Sequence, residues 1–342
     1  MKFEYPCGDP PPAGETKEIA PGVLWVRMPL PFALKWINLW LLDDGDGWMV
    51  VDTGVATDES RAHWTTIFAS PALQGRPVTR VLCTHMHPDH VGLAGWITDR
   101  FHCALWMSRL EYVVCRMLVA DTGREAPEDG VNFYRAAGWD EAALATYRKR
   151  FGQYGRMVQA MPDSFRRVTA GESLRIGGRD WRVLGGHGHS PEHICLWSPE
   201  LNLFISGDQI LPRISSNVSV FPTEPDADPL SDWLESCVRL QREIPPDVLV
   251  LPAHNEPFVG AHGRLQELID GHELCLKRVE QRLQSGPQRV VDLFGALFPG
   301  AVTSELLGFA TGESLAHLNC LIARRRARRR LTTDGIWLFE TV

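Results

Sequence analysis

The sequence predicts an α+β protein in which two sheets pack face to face with helices outside them, followed by a mainly helical C-terminal region. Three observations predict this. Short apolar runs bounded by Gly, Pro and Asp recur from Val23 to Leu251, stretches of helical spacing interrupt them, and after Pro257 the spacing turns helical. At 342 residues the chain is long for one average domain and short for three. The 44% hydrophobic content excludes a mainly disordered chain. A formal net charge of -7 excludes a uniformly basic nucleic-acid binder.

The elements are justified in order. Val23 to Met28 and Trp36 to Leu42 are apolar runs, and Asp43 to Gly47 supplies turn chemistry before Trp48 to Asp52, so a strand meander is expected from Gly22 to Asp52. Thr57 to Ser70 places Trp64, Ile67 and Phe68 at helical spacing. Pro77 to Thr84 reads as a strand ending at His85. Pro88 to Arg100 reads as one helix, with Pro in its first turn. Ala104 to Met107 is a further strand. Arg109 to Phe165 is rich in Leu, Met, Tyr and Arg at helical spacing and reads as an inserted helical subdomain, a lid or pocket wall whose Tyr112, Phe133, Tyr134 and Trp139 are candidates to line an apolar pocket. Strands resume at Ser173–Ile176, Trp181–Leu184, Ile194–Trp197 and Leu203–Ser206. A helix is expected over Asp232–Arg242 and a last strand over Val248–Leu251.

The expected division is 1–260 for the two-sheet domain, with its insertion at about 109–165, and 261–342 for the rest. In the latter, helices over Leu265–Leu283, Gln288–Phe298 and Gly312–Ala323 precede a hairpin turning at Asp334-Gly335. Three helices and a hairpin make a winged-helix arrangement.

Eight cysteines without CxxC spacing, in a chain able to bury its own core, predict reduced thiols. There is no stretch of 18 apolar residues and no signal-peptide pattern. A cytoplasmic protein without a membrane partner is therefore expected.

Chemistry concentrates in four places. The first is Thr84-His85-Met86-His87-Pro88-Asp89-His90, an HxHxDH motif. His85 and His87 are two apart, so on extended backbone they point to one side, and Asp89 and His90 follow where a helix begins. Imidazole nitrogens and a carboxylate are the donors of a borderline cation such as Zn²⁺. The second is Gly186-His187-Gly188-His189-Ser190-Pro191-Glu192-His193. The third is Ser206-Gly207-Asp208 and the fourth Leu251-Pro252-Ala253-His254. Each sits just past an apolar strand, where sites are usually built.

HMHPDH, GHSPEH, SGD and PAH, in this order and with Val51-Asp52-Thr53-Gly54 upstream, resemble the metallo-β-lactamase superfamily from about Gly22 to Pro257. The resemblance implies a four-layer αββα sandwich with two divalent metal ions at one edge. One would be held by His85, His87 and His189, the other by Asp89, His90 and His254, with Asp208 bridging them. Asp52 would orient the ligand loop. His193 would support the site or touch substrate, or else bond backbone. Asp89 and Asp208 are the expected catalytic carboxylates. Zinc is the expected metal, with iron and manganese as alternatives. The full ligand set resembles glyoxalase II and related thioesterases and lactonases, and the C-terminal part resembles the lactamase-like protein 2 group.

The implied activity is hydrolysis of an ester, thioester or lactone of a small molecule by a metal-bridging hydroxide. The alternative is an endoribonuclease using the same metals, with the winged helix as RNA grip. Arg324 to Arg330 contains six arginines that suit phosphates, but a solvated helix end running into a hairpin is the preferred reading, and the negative charge of the rest disfavours nucleic acid. A homodimer is an open expectation. His187 is read as structural and Glu192 as a local cap. His63, His102, His262, His272 and His317 are assigned no chemistry.

Overall fold

The computed structural model describes residues 3–342. Its first sheet has seven strands in sequential order: β1 Thr16–Ala20, β2 Val23–Pro29, β3 Trp36–Asp43, β4 Trp48–Val51, β5 Val78–Leu82, β6 Ala104–Met107 and β7 Arg166–Arg167. β2 to β4 form the expected antiparallel meander, β1 adds an unexpected antiparallel strand at its edge, and β4 to β7 run parallel. Parallel neighbours need crossovers. These are α1 (Asp58–Phe68), then α2 (Pro88–Val91) with α3 (Ala94–Phe101), and then the insertion. The insertion contributes α4 (Arg109–Ala120), α5 (Glu128–Ala136) and α6 (Glu141–Arg150).

The second sheet contains β8 Ser173–Ile176, β9 Arg179–Gly186, β10 His193–Ser198, β11 Leu203–Gly207, β12 Leu249–Pro252 and β13 Phe258–Val259, ordered β13-β12-β11-β10-β9-β8. Helix α7 (Pro229–Glu243) connects β11 to its parallel neighbour β12. The remainder is α8 (Ala261–Leu283), a 3₁₀ turn at Val290–Leu293, α9 (Phe294–Leu297), α10 (Leu307–Ala323) and the hairpin β14 (Ala327–Leu331) to β15 (Trp337–Thr341).

Alternation along the strands builds the layers. In β3, Trp40 and Leu42 face the second sheet, where they join Trp181, Val183, Leu196 and Ile205 in one core. Ile37, Leu39 and Leu41 face the other way, onto Trp64, Ile67 and Ile97 of α1 and α3. The outer side of the second sheet, Cys195, Phe204 and Val250, packs on Trp233 and Leu240 of α7. That core runs on without a break into Leu265 and Leu276 of α8, Leu315 and Leu318 of α10, and Phe339 of the hairpin.

Several expectations need correction. The single helix over Pro88–Arg100 is two helices. Leu93 sits between them at φ -103°, ψ 10°, and its N–H donates to Thr53 Oγ1 and Gly54 O instead of continuing the ladder. Gly92 permits this, because a Cβ there would lie 2.5 Å from the Gly54 carbonyl. The helix over Gln288–Phe298 is a 3₁₀ turn and one short α turn, and the helix expected from Gly312 starts at Leu307. Among the described residues no helix is long and apolar enough to cross a membrane. All eight cysteines are free thiols, five of them buried.

Candidate metal centre

Four strands deliver the polar side chains to one edge of the sandwich. His85 to His90 follow β5, His189 lies between β9 and β10, and Asp208 and His254 come directly after β11 and β12. One group of donor atoms, from His85, His87, His189 and Asp208, lies within 4.8 Å of one another; Asp89, His90 and His254 form a second such group. The structure thus brings all seven of these side chains together at one edge. Asp208 faces both groups. Its Oδ2 is 3.3 Å from His189 Nε2, and its Oδ1 is 3.5 Å from both His90 Nε2 and His254 Nε2. His254 Nε2 is also 3.4 Å from Asp89 Oδ2, and His85 Nε2 lies 2.8 Å from His87 Nδ1.

The far sides of the rings fix which nitrogen faces inward. His189 Nδ1 is 2.7 Å from the Asn217 carbonyl and His254 Nδ1 is 2.9 Å from the Trp36 carbonyl, so each Nε2 presents its lone pair to the cluster. His90 Nδ1 is 2.7 Å from Asp52 Oδ2. Asp52 also accepts from Thr84 N–H and Thr84 Oγ1, both at 2.8 Å, which ties the end of β4 to the HxHxDH loop. Asp52 does so at φ 60°, a left-handed conformation that costs a non-glycine residue of order 1–3 kcal/mol.

Electrostatics agree with a cation-binding pocket. Burial, reinforced by neighbouring imidazoles, holds His85 well below the ordinary histidine range and His87 at about 3. Neutral imidazole is the ligating form. At His90 burial acts the same way, but Asp52, Asp208 and Asp89 together outweigh it and raise the ring well above its ordinary range. His90 Nε2, His189 Nε2 and Asp208 Oδ1 are buried with no hydrogen-bond partner. Buried polar atoms are rarely left so. Three such atoms aimed at one space, among nitrogen and carboxylate donors, fit a pair of divalent cations.

A family model for the metallo-beta-lactamase superfamily matches residues 37–254. The chain belongs to this superfamily. A second model, the metallo-beta-lactamase-like C-terminal domain, matches residues 276–342. This superfamily member is 40% identical to a beta-lactamase domain protein from Burkholderia ambifaria, whose crystal structure it matches with a TM-score of 0.91 over 99% of this chain and 98% of that one. It is 26% identical to the probable metallo-hydrolase YqjP of Bacillus subtilis, over 88% of this chain and 92% of that protein. It is 24% identical to the human acyl-coenzyme A thioesterase MBLAC2, over 71% of this chain and 81% of that one.

The remaining residues singled out by sequence also find places. His193 is buried, and its Nε2 accepts from the Asp208 N–H at 3.2 Å, so it holds the loop carrying Asp208. His187 Nδ1 lies 3.1 Å from the Pro191 carbonyl, outside the cluster. Glu192 is a cap, though not a local one. Its carboxylate accepts from Leu110 N–H at 2.7 Å, at the start of the inserted helix α4.

One carboxylate escaped the sequence reading. Glu111, on α4, is fully buried. Its Oε2 accepts from Met86 N–H at 2.9 Å, and its Oε1 accepts from Ser190 Oγ at 2.6 Å and Glu192 N–H at 2.7 Å. Burial pushes its carboxyl up, and the three donors oppose that. The available signal was a lone acid beside Tyr112 and Cys115 on the buried face of α4.

Of the insertion's aromatics, Tyr134 and Trp139 line a cavity of about 510 Å³. Phe221, Leu307 and Phe309 complete its apolar wall, with Tyr147 of α6. Tyr112 stacks on Phe165, and Phe133 is packed in the core.

Proposed function

We propose that this protein is a dinuclear metal-dependent hydrolase that cleaves an acyl thioester of a small molecule. The observation that carries the reading is Asp208, whose two oxygens face the two donor groups. His85, His87 and His189 would hold one cation, Asp89, His90 and His254 the other, and Asp208 both. Two bound cations supply Lewis acidity toward a carbonyl oxygen and acidify water at neutral pH. The chain's own part is positioning and proton handling. Asp52 and His193 fix His90 and the Asp208 loop, and the Asp89 and Asp208 carboxylates would accept a proton from water at the centre.

A thioester is favoured over other esters by the printed activity of the human relative. Zinc is the metal that this nitrogen and carboxylate set suits best, and iron and manganese share its preferences. Free thiols support a cytoplasmic place of work. The helices and hairpin after Gly260 are read as winged-helix-like.

Ion pairs made by the arginine run weigh against the nuclease alternative. Arg324 pairs with Glu273, Arg326 with Glu280, Arg328 with Glu340 and Arg329 with Asp226, and Arg329 also lies over Trp337. Four of the six arginines thereby have carboxylate partners within the C-terminal region or on the loop before α7. The test is a panel of acyl-coenzyme A thioesters and a single-stranded RNA, each with and without chelator. Chelator-sensitive thioester hydrolysis with inert RNA is expected. RNA cleavage that disappears on replacing Arg325 and Arg330 with Ala overturns the assignment.

A further inference from the structure

We propose that Glu111 is a positioning residue for the metal centre, setting the spacing between the loop that carries His85 and His87 and the loop that carries His189. The inference rests on reading the cluster as a metal centre. Met86, whose N–H Glu111 accepts, lies between His85 and His87. Ser190, whose hydroxyl it accepts, directly follows His189. One carboxylate thus joins two ligand loops that are more than a hundred residues apart in sequence, and each oxygen serves a different loop.

The tie is reciprocal. Glu111 accepts the Glu192 N–H, while Glu192 accepts the Leu110 N–H and, through its carbonyl, Ser108 Oγ at 2.7 Å. The inserted helix is therefore stitched to the His189 loop at its N-cap and first turn. Burying a carboxylate without a cationic partner is expensive, and donors must compensate it. All the donors that compensate Glu111 come from these two loops. An apolar residue would fill the same space at less cost but would leave those N–H and O–H groups unpaired. Groups that hydrogen-bond a ligand directly are typically worth 10–100-fold in metal affinity, which sets the upper scale for a carboxylate that holds the ligands' neighbours.

The test uses the full chain with Glu111→Gln, which keeps the size but turns an NH₂ toward one of the two loops. Zinc affinity is measured by chelator competition, the visible spectrum is recorded with Co²⁺ as the probe, and melting is followed without metal. The variant is expected to fold, to lose up to 10–100-fold in affinity at one of two sites, and to show shifted Co²⁺ bands. Its kcat should fall more than its KM rises. Glu192→Gln should move the same readouts in the same direction by less, which covers the case of a Glu111 variant that misfolds.

Parent affinity and an unchanged Co²⁺ spectrum in Glu111→Gln overturn the inference and leave the metal reading intact. A melting loss without metal, with unchanged affinity, overturns it in favour of a purely structural staple. A parent protein that takes up no metal overturns the metal reading and the inference with it. Weakened metal in the variant of a parent that cleaves no thioester sustains the inference and removes only the substrate assignment.

Discussion

The cluster at the sandwich edge and the His272–His317 pair of the C-terminal region use the same side chain in opposite surroundings. Both are buried. His272 Nδ1 lies 3.4 Å from His317 Nε2, His317 Nδ1 lies 2.8 Å from the Glu313 carbonyl, and Trp233 flanks the pair. Among the described residues neither ring forms an ion pair with a carboxylate. At the sandwich edge, the imidazole nitrogens and the oxygens of Asp89 and Asp208 converge on a shared space. Buried histidine alone therefore says little. Lone pairs converging with carboxylates on a shared space make the difference.

The comparison can be broken or sharpened by substitution. The largest effect belongs to Asp208→Ala, which should lower kcat on a thioester by several orders of magnitude; near-normal turnover at full metal content refutes its role between the two donor groups. Asp52→Asn should cost about 10–100-fold in metal affinity or activity, read by chelator competition, because it weakens the partner of His90 while leaving the ligands in place. The smallest effect on the centre belongs to His272→Leu, which should leave metal affinity and kcat at parent values.

That last variant has a separate signature in acid. Burial lowers His272 to about 3 and His317 to about 4 in the folded protein, below the ordinary 6.5. As pH falls below about 6.5 the unfolded chain takes up protons that the folded pair refuses, so stability falls with pH in that window and is unaffected above it. Melting temperature against pH should decline less steeply for His272→Leu than for the parent between about pH 6.5 and 4. Equal slopes would show that the pair does not govern acid stability.

The clustered donors were legible in the sequence because each stands beside its strand in a compact motif: HxHxDH after β5, GHS after β9, SGD with β11 and PAH with β12. The core strands were legible for a similar reason, since Trp40 and Leu41 or Val183 and Leu184 alternate between two apolar layers. The edge strands β1, β7 and β13 were not. Arg166 and Arg167 are exposed, and Thr16 to Ala20 is half-buried, so neither carries an apolar pattern. The break at Leu93 was hidden because Thr53 and Gly54, about forty residues earlier, decide it. Glu111 and Asn217 were hidden likewise. Their roles depend on partners 25 to 81 residues away, and no local spacing encodes such a contact.

The core that passes from Phe204 and Val250 through Trp233 into Leu276, Leu315 and Phe339 also bears on how the chain can be cut and recombined. Among the described residues the outer face of the second sheet is covered mainly by α7 and by the last eighty residues. Exchanging that tail between homologues would transplant one wall of a shared interior, whose side chains must then interlock with a foreign sheet. The polypeptide should melt in a single calorimetric transition, and its two halves should behave as one heritable unit.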